Sequence, residues 1–130
     1  MIVIDASVTL ESLLRTPAAA AIGERVFRAG LTLHAPHLLD VETSQVLRRF
    51  VREGRIGAER GRIALTDLAA LPVRRYPHVE LLPRLWSLRD NLTAYDAAYI
   101  ALAEVLDAPL LTRDRRLAAS SGHRARVELV

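Results

Sequence analysis

Apolar positions along the chain follow two rhythms. Short, nearly unbroken runs read as strands: Ile2-Val-Ile, Leu31-Thr-Leu-His-Ala, Val73 to Tyr76, Leu110-Leu-Thr and a last edge strand from Arg126 to Val130. Longer stretches of helical period lie between them. One starts near Ser7, with Ser7 as the expected N-cap. An alanine-rich one runs from Pro17 to near Gly30, and a third from His37 to Glu53, stopped by Gly54. In that third helix Leu38, Val41, Gln45, Val46, Leu47 and Phe50 are expected near one face, with Arg48, Arg49 and Arg52 opposite. Further helices are expected over 58–71, over 79–90 with Pro83 in the first turn, over 93–106 before the breaker Asp107-Ala-Pro, and over 114–121. Strands alternating with helices predict an α/β domain around a parallel sheet.

At 130 residues the expectation is one domain, 1–130, with no repeat, linker or low-complexity stretch. Hydrophobic residues make up 51%, enough for a buried core. The absence of cysteine excludes a disulfide framework, a thiol nucleophile and a thiolate zinc site. No apolar run reaches the roughly 18 residues of a membrane span, and Met1-Ile-Val-Ile-Asp5 lacks the basic start of a signal peptide. A cytoplasmic protein is therefore expected. All 18 basic residues are arginine and the net charge is +3, which permits a nucleic-acid partner without requiring one.

The chemistry concentrates in four acids. Asp5 follows the first strand and Asp114 follows the strand Leu110-Leu-Thr112. Asp96 lies in the first turn of its helix, where Thr93 and Asp96 form a capping-box-like pair. Glu42 lies in the first turns of the helix after the second strand. Singly, each has an ordinary explanation as a cap or a solvated helix residue. Together they fall where open parallel sheets bind ligands, in the crevice at the carboxyl ends of the strands. Carboxylates held close together repel unless a proton or a cation intervenes. A donor set made only of oxygen favours magnesium or manganese over zinc or copper.

These residues sit in four recognisable stretches: Ile2-Val-Ile-Asp5-Ala-Ser7, Leu38-Leu-Asp-Val-Glu42-Thr, Leu92-Thr93-Ala-Tyr95-Asp96-Ala-Ala-Tyr99-Ile-Ala-Leu-Ala-Glu104, and Leu110-Leu-Thr112-Arg-Asp114-Arg-Arg-Leu-Ala118. In order and spacing the chain resembles PIN domains, and among them the VapC-type toxins of bacterial toxin–antitoxin pairs. The third stretch is the most specific. The resemblance implies a three-layer α/β/α fold with a central, mainly parallel five-stranded sheet, and endoribonuclease activity with Mg2+ or Mn2+. It makes Asp5, Glu42, Asp96 and Asp114 the catalytic metal ligands, direct or through water, and Ser7 and Thr112 the residues that orient a carboxylate or a water. It also implies a cognate antitoxin over the cleft and a homodimer. One departure is Arg116, which stands where a further acid often sits, so a single ion at rest is expected.

Around Asp114, Arg113, Arg115 and Arg116 are candidates to hold RNA phosphates. The group Arg48, Arg49, Arg52, Arg55, Arg60 and Arg62 reads as a solvated face. Tyr95 and Tyr99, four apart, are expected to share a core-packing face. The four histidines have no metal-ligand spacing. The segment from Ala18 to Ala29 and the helix from Ala58 to Leu71 are candidate walls of a groove for a partner helix. Rival readings are a PIN-like nuclease of RNA maturation or DNA processing, a non-catalytic phosphate- or nucleic-acid-binding domain, and a receiver-like domain. The last needs a lysine, and the chain has none.

Overall fold

A computed structural model describes residues 1–130. Five strands, β1 (Ile2–Ile4), β2 (Leu33–Pro36), β3 (Val73–Tyr76), β4 (Leu110–Thr112) and β5 (Val127–Leu129), form one sheet in the order β3-β2-β1-β4-β5. Every pairing is parallel, with Val3 opposite His34 on one side and Leu110 on the other. Strands buried on both faces are nearly continuous in apolar residues, which is why β1, β2 and β4 read as runs rather than as alternation; the buried His34 and Thr112 are hydrogen-bonded exceptions.

The helices are α1 (Ala6–Leu14), α2 (Ala19–Val26), α3 (Leu38–Arg52), α4 (Ala58–Ala70), α5 (Leu82–Ser87), α6 (Ala94–Leu106) and α7 (Arg115–Ala118). Helix α6 lies across β1, β2 and β4, and buries seven consecutive residues from Ala97 to Ala103. Four of those seven are alanines, which let the helix axis approach the sheet closely. Helix α1 packs on β4 and gathers α2, α3 and α4 about itself. A small second core of Leu13, Leu47, Ala64 and Leu68 locks α1, α3 and α4 together.

Several sequence expectations shift. The cap of α1 is Asp5, whose carboxylate accepts the Val8 amide, and Ser7 lies inside the helix; the carboxylate wins because it reaches the first-turn amide as β1 ends. The alanine-rich helix is shorter than expected, Ala19–Val26, because Gly30, at φ 81°, and the turn before it are non-helical. The stretch 79–90 is a 3-10 turn over Val79–Leu81 followed by the short α5, with Pro83 in the first turn. On α3 the buried line is Leu39, Thr43 and Leu47, spaced by four, and Val41 is 69% exposed. Tyr99 is buried, whereas Tyr95 is 61% exposed at the start of α6. Helix α1 packs against both α2 and α4, so the expected groove between those two is not formed by them alone.

Candidate active site

The chain runs outward from β1 through β2 to β3, then crosses back to lay β4 on the other side of β1. The strand order therefore reverses between β1 and β4, and a crevice opens at their carboxyl ends. A cavity of about 460 Å3 occupies that place, and Asp5, Glu42, Asp96 and Asp114 all line it, with Ser7, Tyr99 and Arg113. Helical period explains the lining. On α1, Ser7, Leu10, Glu11 and Leu14 share one face; on α3, Glu42, Val46, Arg49 and Phe50 do; on α6, Asp96 and Tyr99 do.

Asp5 is the most buried acid, 6% exposed. Its Oδ1 accepts the Ser7 hydroxyl at 2.6 Å and the Val8 amide at 3.0 Å, and its Oδ2 accepts the Thr112 hydroxyl at 2.6 Å. Each hydroxyl in turn accepts a backbone amide, Arg113 N on Ser7 at 2.8 Å and Asp114 N on Thr112 at 2.9 Å. That second bond leaves each hydroxyl proton only one productive direction, toward Asp5. Burial pushes the Asp5 carboxyl above the ordinary carboxylate range, and the two hydroxyls and the backbone amides pull it partly back.

Glu42 is half-buried and accepts the Tyr99 hydroxyl on Oε2 at 2.6 Å. Burial raises its pKa, the Tyr99 bond lowers it, and the charges of Asp5 and Asp96 raise it again. Tyr99 itself is pushed far above its usual range by burial and by the Glu42 charge, so it stays a donor. Asp96 is held by its backbone, whose amide reaches Thr93 Oγ1 at 3.2 Å, while its carboxylate accepts no amide and no guanidinium. Burial first and the Asp114 charge next push its pKa up, against the Thr93 hydroxyl and Arg116. Asp114 caps α7, its Oδ1 accepting Arg116 N at 2.7 Å and Leu117 N at 3.4 Å.

The arginines divide differently from expectation. Arg113 lines the cavity but is tied down, to Glu11 at 3.4 Å and to the Val130 carbonyl at 2.5 Å. Arg116 borders an adjoining hollow with Thr93 and Asp96, and Arg115 lines neither. Arg49 and Arg55, expected on a solvated face, line the main cavity. Arg49 lies seven residues after Glu42, two helical turns along the same face, and that spacing was the available signal. Tyr99 as the partner of Glu42 had a similar one: it follows Asp96 by three on α6.

Burial thus drives three of the four acids toward protonation, and neighbouring carboxylates add to it at Glu42 and Asp96. No three come close enough to enclose an ion unaided, so the cavity offers a rim of carboxylates rather than a closed cage. An oxygen-only rim with mutual repulsion suits a hard divalent cation that keeps part of its water shell.

Residues 2–121 match the PIN domain family. Ribonuclease VapC12 of Mycobacterium tuberculosis is 45% identical over 130 residues, covering 100% of this chain and 99% of the relative. The chain is a PIN domain of the VapC ribonuclease family. Among solved structures, M. tuberculosis VapC20, described as a sarcin-ricin loop cleaving toxin, superposes with a TM-score of 0.71 at 16% identity, covering 95% of this chain and 97% of that one. A toxin–antitoxin complex from Klebsiella pneumoniae gives 0.64 at 16%, covering 92% and 91%. At such identities the two structures bear on the fold, and they share the arrangement of sheet and helices described above.

Proposed function

We propose that this VapC-family chain is an endoribonuclease and the toxin of a toxin–antitoxin pair, dependent on Mg2+ or Mn2+ held by Asp5, Glu42, Asp96 and Asp114, directly or through water. The observation that carries the reading is the convergence of four carboxylates, from four separate segments, on one cavity at the point where the strand order reverses. Relatives close in sequence along the full chain bear the name ribonuclease, which sets the substrate class.

Each acid has its own duty. Asp5 is fixed by two hydroxyls and an amide, so its remaining lone pairs keep a constant aim into the cavity. Ser7 and Thr112 act through it as orienting residues. Glu42 is steadied by Tyr99, and Asp96 and Asp114 complete the rim. A bound Mg2+ or Mn2+ supplies a more acidic water for attack on a phosphodiester and offsets the charge that builds on the phosphoryl oxygens. No side chain in the cavity is a cysteine or histidine, and hydrolysis needs no covalent intermediate.

The antitoxin is read as a protein that covers this cavity, and the chain as one half of a homodimer. No helix is long and apolar enough to cross a membrane, and we place the protein in the cytoplasm. The test is purified protein on total RNA with Mg2+, Mn2+ or EDTA, beside the Asp5→Ala and Asp96→Ala variants. Cleavage is expected with either ion and in neither variant. Cleavage that survives in EDTA, or in both variants, overturns the mechanism. Expression of the chain alone is expected to arrest growth, and coexpression of a small protein encoded beside it to relieve the arrest. Normal growth despite soluble expression rejects the toxin role.

A further inference from the structure

The cavity has a second half that the acids do not use. Leu10 and Leu14 of α1 and Val46 and Phe50 of α3 floor it, and Arg49 and Arg55 stand along it. The Arg55 guanidinium lies over the Phe50 ring, 3.9 Å from its centroid, and that of Arg49 lies 5.7 Å from the same ring. Neither cation is firmly engaged. Their one ion-pair partner is Glu53, at 4.0 Å from Arg49 and 3.9 Å from Arg55, in pairs more than half exposed on the arginine side, while Glu11 of the same cavity is taken by Arg113. Such pairs contribute little. Arg113, by contrast, is already bound to Glu11 and to the Val130 carbonyl.

A ligand for this half must present a flat apolar face and an anion together, within reach of the acidic end. An unpaired nucleotide does so: the base supplies the face and the phosphate the charge. A base inside a duplex has its faces covered by its neighbours and cannot reach the floor. We infer that Arg49, Phe50 and Arg55 form a nucleotide subsite that receives an unpaired base next to the scissile phosphate. The base layers on the Arg55 guanidinium, itself layered on Phe50, and Arg49 meets the flanking phosphate. The site thereby selects single-stranded or looped RNA. The inference rests on RNA as the substrate, and it is independent of whether the acids cut it.

The experiment is fluorescence anisotropy with a labelled single-stranded RNA of about 12 nucleotides, in EDTA, over a series of salt concentrations. The R49Q/R55Q variant is expected to bind about ten-fold more weakly. Its log–log salt slope should fall by about 0.7, the share of the one phosphate contact that Arg49 makes on a single strand. Arg55→Lys keeps the charge and loses the planar surface, so its slope should stay while affinity falls a few-fold. Annealing the RNA to its complement should weaken binding to the wild type and abolish the difference between variants. Because both arginines are exposed, thermal melts should match the wild type. Unchanged affinity and slope in R49Q/R55Q overturn the subsite. So does an unchanged slope coupled to loss of the protein encoded beside the chain, which assigns the shelf to a protein ligand. Should the wild type cut no RNA yet show the arginine-dependent slope, the nuclease reading falls and the subsite stands.

Discussion

The four acids form two unlike pairs. Asp5 and Asp114 stand where strands end, cap the helices that follow, and accept backbone amides. Glu42 and Asp96 project from helix flanks; one has a single tyrosine donor, and the other has neither an amide nor a guanidinium. The strand-end pair is part of the fold's hydrogen-bond accounting, so removing it disturbs structure as well as chemistry. The helix pair is held in the cavity by its place on α3 and α6, with side-chain hydroxyls and no backbone amides to support it, and in the absence of a cation it sets charge against charge. The same residue type therefore serves stability at one place and opposes it at another.

The sharpest way to break this distinction is to remove one member of each pair. Asp5→Ala and Asp96→Ala should each lower RNA cleavage by on the order of a thousand-fold, the scale of losing one preorganised electrostatic group. Their melting should differ. Asp96→Ala should keep or raise Tm, whereas Asp5→Ala, which loses a helix cap and the acceptor of two hydroxyls, should lie about 1 kcal/mol or more below it. Equal Tm values would erase the distinction.

Thr112→Val keeps the shape and deletes the hydroxyl that donates to Asp5 and accepts Asp114 N. Leaving both groups short of a partner in a buried place should cost about 1–3 kcal/mol in denaturant unfolding. Activity should fall about 10–100-fold through misaimed Asp5. A pH series then sharpens the comparison. Asp5, Glu42 and Asp96 hold protons more tightly folded than unfolded, so raising pH above the ordinary values of 3.8 for aspartate and 4.5 for glutamate removes stability in metal-free buffer. Asp96→Asn escapes part of that loss. Its Tm advantage over the wild type should grow as pH rises above the ordinary aspartate value of 3.8 in EDTA, then shrink on adding Mn2+. A pH-independent difference would show that the charges do not interact. The smallest effect is expected from Tyr99→Phe, which deprives Glu42 of its donor: about 1 kcal/mol in stability and a several-fold loss of cleavage.

Much of this was legible in the letters. Runs such as Ile2-Val-Ile mark strands buried on both faces, and an acid directly after such a run marks the crevice. What escaped depends on which face of a helix turns where. Both the core and the cavity draw on α3, so its apolar residues do not define a single stripe: Leu39, Thr43 and Leu47 face inward, while Glu42, Val46 and Phe50 face the cavity. Arg49 lies on the cavity face, and from sequence it looked like solvent-facing charge. The Asp5 cap displaced Ser7 for a similar reason, since proximity to the first free amide decides a cap and two candidates stood two residues apart.

The bond from Thr112 to Asp5 spans 107 positions of a 130-residue chain. Because the two residues meet only when β4 lies beside β1, the acidic centre cannot assemble before that long-range pairing, whose loop-closure cost places it late in folding.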